Sequence, residues 1–225
     1  MFWQDENTDP ERFVVPDDVV DLAFGIQCRA LPVDHAWALS EAVLGVLPWI
    51  AAEDGAGVHA IHVAESGNGW VRPERADDLL YLSRRTPLVL RLPKHRIEDA
   101  RRLTGATLNV AGNEMRVGAA AARPLSAAPT IFSRYVLSEE SDEAAFMRAA
   151  ATRLKEMGIE PRKMLCGMER VIATPERALR TRSLMLADLP PAESVRLQQR
   201  GLGSGRSLGC GLFVAHKDIR EVGAP

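Results

Sequence analysis

The order of secondary structure predicted from the sequence occurs twice along the chain, and this repetition constrains the fold most. Apolar residues that alternate with polar ones predict strands, and apolar residues four apart, such as Leu39, Val43 and Leu47, predict a helix. The first half gives strand, helix, strand, strand, helix and a final strand doubled into a hairpin. Its predicted elements are strand 19–29, a helix capped by Asp34 that ends near Leu47, strand 58–64 with a turn at 66–69, strands 79–83 and 87–92, helix 95–103, and hairpin strands 107–110 and 114–117.

A second half with the same order follows a connector rich in alanine and proline, residues 119–129. Ile131, Tyr135 and Leu137 are predicted core residues of its first strand. The order strand, helix, strand, strand, helix, strand is that of the ferredoxin-like fold. The chain is therefore predicted to be α+β, with two tandem ferredoxin-like (RRM-like, βαββαβ) domains at residues 17–125 and 129–220. The predicted elements of this half are strand 130–137, helix 142–157 with Gly158 as its stop, extended segments 163–173 and 182–186, helix 192–199 and strand 210–216.

Composition restricts the class of protein without identifying it. Of the 225 residues, 46% are hydrophobic and 26% charged, which is typical of a packed globular chain. No apolar run approaches the roughly 18 residues of a membrane span, and the acidic start is unlike a secretory signal, so a cytoplasmic protein with no membrane partner is expected. Cys28, Cys166 and Cys210 form no CxxC pair and are expected to be core residues. We expect no cofactor and no metal.

The most specific motif is a glycine-rich segment, residues 200–211, which reads RGLGSGRSLGCG between a predicted helix and the last predicted strand. Glycine allows positive φ and lets another backbone approach closely, and free N–H groups in such a loop bind anions. A dinucleotide motif is excluded because GxGxxG must open a helix early in a βαβ unit, and a P-loop because Gly-Lys-Ser/Thr is absent. A long hairpin loop in tight contact with a strand stays open as the structural alternative.

The stretch RGLGSGRSLGCGLF resembles the C-terminal glycine-rich loop of the RAMP superfamily, and it is most similar to the CRISPR repeat-cleaving endoribonucleases, nearest the myxobacterial type. The resemblance implies two tandem ferredoxin-like domains and a metal-independent nuclease that processes CRISPR precursor RNA. Its implied partners are the CRISPR repeat RNA, the mature guide RNA (crRNA) and other subunits of a CRISPR effector complex. The implied RNA contacts in the segment are Arg200, Gly201, Gly203, Ser204, Gly205, Arg206, Ser207, Gly209 and Gly211.

Two histidines extend the resemblance. Residues 31–44, LPVDHAWALSEAVL, are similar to the part of these nucleases where a histidine lies at or near the start of the first helix, which implies a catalytic role for His35. Residues 57–70 are similar, less closely, to a segment that carries a second catalytic or positioning histidine, and His62 is preferred there over His59. Cleavage without metal needs one group that deprotonates the 2′-hydroxyl and one that protonates the leaving 5′-oxygen. A histidine pKa suits either step, so base and acid are not assigned.

Arginines outside the glycine-rich segment are further candidates for contacts with the RNA backbone. Only four of the 28 basic residues are lysines, and arginine is the better bidentate partner of phosphate. A net charge of −2 nevertheless argues against a nonspecific nucleic-acid coat. Two alternatives stay open: a non-catalytic RAMP subunit that binds guide RNA, and an unrelated RRM-like module, for which two tyrosines are few. The candidate arginines are Arg84, Arg85, Arg177, Arg180 and Arg182.

Overall fold

The computed structural model describes residues 13–62, 75, 78–140 and 142–216, which form a mixed α/β fold on two main antiparallel sheets. The strands are β1 (Val19–Gln27), β2 (Ala30–Pro32), β3 (Gly57–Val58), β4 (Leu79–Tyr81), β5 (Pro87–Pro93), β6 (Thr107–Val110), β7 (Asn113–Pro124), β8 (Ile131–Leu137), β9 (Lys163–Ala173), β10 (Ala178–Ala187) and β11 (Val214–Ala215). The helices are α1 (Ala36–Val46), α2 (Ile97–Ala100), α3 (Glu143–Glu156) and α4 (Pro191–Arg200), with short 3-10 segments at Pro48–Ala51, Lys94–Arg96, Arg101–Leu103 and Arg206–Leu208.

The first sheet has the order β3-β5-β1-β7-β6, and every neighbouring pair is antiparallel. Alternation along the central strand β1 buries Leu22 and Phe24 completely. α1 contributes Leu39 and Val43 to the same core, so its apolar stripe faces the sheet as the spacing predicted. One core therefore lies between α1 and the first sheet.

Strand β7 is twelve residues long and extends through residues 119–124, which the sequence analysis assigned to a connector. Alanine has a low strand propensity, but Ala121 and Ala122 pair in register with Ala23 and Leu22 of β1. The main chain of β1 supplies hydrogen-bond partners along this stretch, and tertiary context overrides propensity. The connector prediction is wrong up to Pro124.

The second sheet has the order β11-β8-β10-β9, again antiparallel throughout. α3 and α4 cover one face of it, where Phe146 and Leu197 join Leu184 in a second core. α3 begins as predicted at Asp142, whose carboxylate accepts a hydrogen bond from the Ala145 amide at 2.8 Å. None of the described helices is long and apolar enough to cross a membrane.

A bulge in β8 determines which side of the second sheet Tyr135 faces. Ser133 pairs with Leu184 and Val136 pairs with Arg182, so β8 has one residue more than β10 over this stretch. A bulge of this kind re-aims the side chains that follow it. Tyr135 is buried, as predicted, but it packs in a cluster between the two halves of the chain and not in the core beneath α3 and α4.

Between the halves lies a buried group of side chains, here called the junction cluster. Leu137 and Leu179 pack at the edge of this cluster and are only partly buried. The prediction that Leu137 is a core residue is therefore wrong. Cys210 is a core residue, as expected from the sequence, and its burial raises the pKa of its thiol to about 12. The members of the junction cluster are Ala36, Ala60, Tyr135, Ile172, Leu208 and Cys210.

A buried arginine also connects the halves. Arg91 on β5 is 1% exposed and donates two hydrogen bonds to the Asp21 carboxylate, at 2.8 and 2.9 Å. Its Nη1 donates to the main-chain oxygens of Gln198, at 3.0 Å, and Phe213, at 2.6 Å. Gln198 lies on α4 and Phe213 precedes β11, so a first-half side chain holds the main chain of the second half.

The Asp21 carboxylate is charged because of this arrangement. Burial raises its pKa, but hydrogen bonds from His59 and Arg91 outweigh burial and hold the pKa of Asp21 well below the ordinary carboxyl value. Burial lowers the pKa of His59, whose Nε2 lies 3.5 Å from Asp21 Oδ1. His59 therefore belongs to the same buried group as Asp21 and Arg91, through which the first half contacts the second.

Several predicted boundaries change. Asp34 does not cap α1; its carboxylate accepts a hydrogen bond from the Ala173 amide at 2.9 Å, and His35 is the N-cap. The predicted strand 58–64 ends at Val58, and the predicted turn 66–69 lies outside the described residues. Helix 95–103 is divided into α2 and two 3-10 segments, strand 182–186 extends over β10, and strand 210–216 shortens to β11.

We predict that Asp21→Asn lowers the free energy of unfolding by about 3 kcal/mol, because removing one partner of a buried ion pair leaves the other charge uncompensated. Urea denaturation measures the change. Since the pKa of Asp21 is depressed in the folded state, its stabilisation is present above the ordinary carboxyl pKa and is lost as the pH falls below about 4.

Asp17→Asn is the matched control, because Asp17 makes an exposed ion pair with Lys94. Exposed pairs stabilise little, so this variant should unfold like the wild type. Equal denaturation curves for the two variants would show that Asp21 does not hold the halves together.

Candidate active site and nucleic-acid interface

His35 is 1% exposed, and both of its ring nitrogens contact main chain. Nδ1 lies 2.8 Å from the Pro32 oxygen, and Nε2 accepts a hydrogen bond from the Ile61 amide at 3.0 Å. A carbonyl oxygen only accepts and an amide only donates, so the ring is neutral with its proton on Nδ1. His35 thus joins the start of α1 to the residue that precedes His62.

His62 is half-buried, and its ring centroid lies 5.9 Å from that of Tyr135. The strand before it ends at Val58, so the alternation of a strand no longer governs where His59 and His62 face. His59 contacts Asp21, whereas His62 reaches the junction cluster. The structure brings His35 and His62 together through Ile61.

Tyr135 is a site residue that the sequence analysis missed. Only a bulge places it beside His62, and no local pattern predicts that bulge. The Tyr135 side chain is buried, yet its hydroxyl makes no hydrogen bond to any residue that the structure describes. Tyr135 therefore places a second polar side chain beside His62.

Most of the glycine-rich segment is inside the protein. A Cβ on Gly211 would lie 2.3 Å from the Leu202 oxygen, and one on Gly209 would lie 3.0 Å from the Ala60 nitrogen. Gly201 is buried as well, beside Gly211. The close approach that these glycines permit is made by the protein's own main chain. The prediction that Gly201, Gly209 and Gly211 contact RNA is corrected accordingly.

The exposed part of the segment is short. Gly203 and Ser204 are exposed, and their amides donate to no acceptor that the structure describes. Gly205 is half-buried, and a Cβ there would lie 2.9 Å from Leu137. Gly203 and Ser204 therefore present their main-chain amides at the surface of the segment.

Arg206 points into the protein. Its guanidinium donates to the main-chain oxygens of Ala56 (2.9 Å), Gly55 (2.7 Å) and Gln199 (3.2 Å). Burial lowers the pKa of Arg206 to about 10, so it stays charged at neutral pH. The guanidinium predicted to contact phosphate is instead occupied by three carbonyl groups.

Two depressions flank the exposed part of the segment. The larger, of about 890 Å³, is lined by Arg200, Ser204 and Ser207 but also by Glu53 and Asp54, so its walls carry both signs of charge. Arg200 is exposed and Ser207 is half-buried. A phosphate in this depression would be attracted by Arg200 and repelled by Glu53 and Asp54.

The smaller depression, of about 200 Å³, is lined by three arginines, Arg153, Arg177 and Arg180, together with Ser204 and one acidic residue, Glu139. Arg180 pairs with Glu169 at 2.9 Å, and a hydrogen bond from Arg180 lowers the Glu169 pKa. Arg153 and Arg177 make no ion pair with any described residue. Sequence analysis missed Arg153, because a basic residue in the last turn of a helix is usually solvated.

The other predicted arginines are dispersed. Arg182 pairs with Glu169 at 3.0 Å, and its side chain is only 13% exposed. Arg84 and Arg85 are exposed in the turn between β4 and β5. Within the described ranges no group of three or more His, Cys, Asp or Glu residues is placed to hold a metal ion.

The chain thus combines two halves, each built on an antiparallel sheet, with a glycine-rich segment packed between them. The family model described as "Cas6 Crispr" matches residues 20–218, and the chain belongs to this family. The resemblance inferred from residues 200–214 is thereby confirmed. The alternative of an unrelated RRM-like module is excluded.

Among curated proteins, the chain is 31% identical over 196 residues to the CRISPR-associated endonuclease Cas6 of Myxococcus xanthus (strain DK1622), covering 87% of this chain and 80% of that one. A solved CRISPR-associated protein Cas6 aligns with a TM-score of 0.64 at 13% identity, over 88% of this chain and 100% of that chain. A Cas6-related protein of Pyrococcus furiosus aligns with a TM-score of 0.55 at 12% identity, over 90% and 99%. These two solved structures share the fold.

We predict that Gly211→Ala lowers the free energy of unfolding by roughly 3 kcal/mol or more, because overpacking adds to the strain of a positive φ. Gly203→Ala is the matched variant: its φ is +80° as well, but its nearest neighbour is Arg153 at 3.4 Å, so only about 1 kcal/mol of backbone strain is expected. Urea denaturation compares the two. Similar small losses would mean that the segment is not clamped between the halves.

Proposed function

We propose that this protein is a metal-independent endoribonuclease that cuts within the repeat of a CRISPR precursor RNA. The observation that carries the proposal is membership of the Cas6 family across nearly the whole chain. A further solved structure with this fold, at a TM-score of 0.58 and 13% identity, is titled an RAMP protein binding different RNA substrates. The mature guide RNA and other CRISPR effector subunits are its proposed partners.

We also propose that the halves are tandem ferredoxin-like domains at residues 17–125 and 129–220. Supporting this, the orders β7-β1-β5-β3 and β11-β8-β10-β9 both place the fourth, first, third and second strands of a half side by side in that sequence. Each half has two helical regions in the matching places along the chain, with β6 added at the edge of the first sheet.

In the proposed reaction the 2′-oxygen loses its proton and attacks the adjacent phosphorus, and the bond to the 5′-oxygen breaks as that oxygen gains a proton. The products are a 2′,3′-cyclic phosphate and a 5′-hydroxyl. His62 is proposed to transfer one of these protons. Its half-buried ring beside Tyr135 supports this role, since histidine exchanges protons near neutral pH.

The proposed role of His35 is to position His62. Its Nε2 holds the Ile61 amide, and its Nδ1 holds the Pro32 oxygen. Direct proton transfer by His35 would require the ring to release one of these partners. The catalytic role that the sequence implied for His35 is therefore proposed to be exerted through the backbone of residue 61.

RNA phosphates are proposed to lie along the exposed part of the glycine-rich segment. Gly203 and Ser204 offer amides there, and Arg153, Arg177 and Arg200 surround them without carboxylate partners among the described residues. Amides combined with arginines bind phosphate well. This interface is smaller than the sequence predicted.

A second candidate is a non-catalytic subunit that only binds guide RNA. The observation that favours it is the main-chain occupation of both His35 nitrogens, because a histidine in such contacts serves structure without chemistry. Cleavage assays separate the two candidates.

We predict that the purified protein cuts its cognate repeat RNA in excess EDTA and that a 2′-deoxy nucleotide at the cut abolishes cleavage without weakening binding. Removing the 2′-oxygen removes the nucleophile while leaving the phosphate contacts. Gel analysis of the 5′-hydroxyl and cyclic phosphate ends checks the products. Cleavage only with added Mg²⁺ would refute the mechanism, and binding without cleavage would favour the guide-RNA subunit.

We predict that His62→Ala slows single-turnover cleavage by roughly 10²- to 10⁴-fold, the usual contribution of an acid–base group. His35→Ala should also slow it, whereas His35→Gln should stay within about tenfold of the wild type, because its amide oxygen can accept the Ile61 hydrogen bond. The exposed His95 is the control, and His95→Ala should cut normally. If His35→Gln were as slow as His62→Ala, His35 would itself transfer a proton.

A further inference from the structure

The turn that follows β4 presents two arginines on a fixed tip. The Thr86 amide donates to the Ser83 oxygen at 3.0 Å, and the Ser83 amide donates to Thr86 Oγ1 at 3.2 Å. The Arg85 amide donates to Ser83 Oγ, also at 3.2 Å. Thr86 is buried, whereas Arg84 and Arg85 between the two anchors are exposed. Side-chain hydrogen bonds therefore hold the turn, and both guanidinium groups point to solvent.

A third exposed arginine lies across the two-stranded sheet β2-β4. The Leu82 amide donates to the Arg29 oxygen at 3.0 Å, so Arg29 is opposite the start of the turn. Neither Arg29, Arg84 nor Arg85 makes an ion pair with any residue that the structure describes. The chain stretches that build this region, residues 22–33 and 79–97, contain no aspartate or glutamate. The strands and the turn that carry these arginines therefore contain no acidic residue of their own.

An aromatic ring lies beside this charge. Tyr81 on β4 is 61% exposed, although large aromatic side chains usually lose most of their surface to the core. The neighbouring Leu80 is 1% exposed and anchors the strand, so alternation directs Leu79 and Tyr81 outward. Tyr81 pairs with Ala30, next to Arg29. One open ring face and three arginines thus share one end of the β2-β4 sheet.

This combination suits single-stranded RNA. An exposed ring stacks on a nucleobase, which is available only where the base is unpaired, and guanidinium groups bind the flanking phosphates. A duplex would offer the phosphates but no base face. Tyrosine and arginine are also enriched at protein–protein interfaces, but three arginines without a carboxylate partner among the described residues match the closely spaced phosphates of a nucleic-acid strand.

Strand β2 connects the surroundings of Tyr81 to the contact made by His35. Pro32, at the other end of β2, carries the carbonyl that accepts from His35 Nδ1. Pro32 is two residues from Ala30, the partner of Tyr81, which is about 7 Å along a strand. A strand of RNA at His62 that continues along β2 would reach Tyr81 within a few nucleotides.

We propose that Tyr81, Arg29, Arg84 and Arg85 form a subsite for unpaired nucleotides that flank the cut, an inference that rests on the proposed endoribonuclease function. Three RNAs blocked by a 2′-deoxy nucleotide at the cut test it: the repeat alone, the repeat with an unpaired 5′ extension, and the repeat with an unpaired 3′ extension. The wild type should bind one extended RNA more tightly than the repeat alone. Tyr81→Ala should lose about fivefold or more of that affinity, and Tyr81→Phe should keep it, since the ring remains.

The arginines are tested through salt dependence. Arg84→Ala/Arg85→Ala should reduce the slope of log affinity against log salt for the extended RNA by about 1.4, or about 0.7 for each phosphate contact with a single strand. Arg101→Ala/Arg102→Ala is the matched control, with the same charge change at two other exposed, adjacent arginines of the first half. The control should leave the slope unchanged.

The subsite is refuted if the wild type binds the repeat and both extended RNAs equally, or if Tyr81→Ala weakens all of them equally. Thermal unfolding of each variant separates a folding defect from a binding defect. An oligouridylate that contains no repeat distinguishes the subsite from the proposed function. Wild type that leaves every repeat intact but binds oligouridylate through Tyr81 would overturn only the nuclease proposal. Oligouridylate binding that is indifferent to Tyr81→Ala would overturn the subsite.

Discussion

The arrangement of the candidate site depends on the guanidinium of Arg91. One of its nitrogens donates to both the Gln198 and the Phe213 oxygens, which lie just before and just after the glycine-rich segment. Arg91 therefore closes the segment into a loop whose two ends meet at a single side chain. Asp21 neutralises the charge that this requires, and burial of the group makes the pair sensitive to the loss of either partner. Within the loop, Arg206 adds bonds to the first half of the chain.

Most glycines of the closed loop allow it to pack closely against the protein's own main chain. Their spacing correctly located the segment and its family, but it did not give the reason for most of them. Gly211 approaches Leu202, and Gly209 approaches Ala60, so the absence of side chains lets the main chain pack against itself. The Gly211 amide also donates to the Tyr135 oxygen at 2.6 Å. Packing of the segment and placement of Tyr135 beside His62 are consequently one structural feature.

Elements that depend on local periodicity were predictable. The stripe of α1 and the extent of α3 follow from nearby residues and agree with the predictions, whereas the cap predicted at Asp34 does not form. Features set by distant pairing were not predictable. β7 extends because β1 offers it hydrogen bonds, and Tyr135 changes sides because β8 carries an extra residue opposite β10. His35 was recognised as a residue of interest, but its partner Ile61 lies 26 residues away, and no spacing rule relates them.

The arginines show why charge in a sequence overstates an RNA interface. Arg206 and Arg182 were predicted to contact phosphate, but their hydrogen bonds go to carbonyl and carboxylate oxygens of the protein. A guanidinium has five donors, and oxygen atoms of the protein occupy part of this capacity in both arginines. Whether an arginine is available to RNA therefore depends on which internal acceptors the fold brings to it. That is decided by the contact between the halves, so the interface is a consequence of the tertiary structure and not of the net charge.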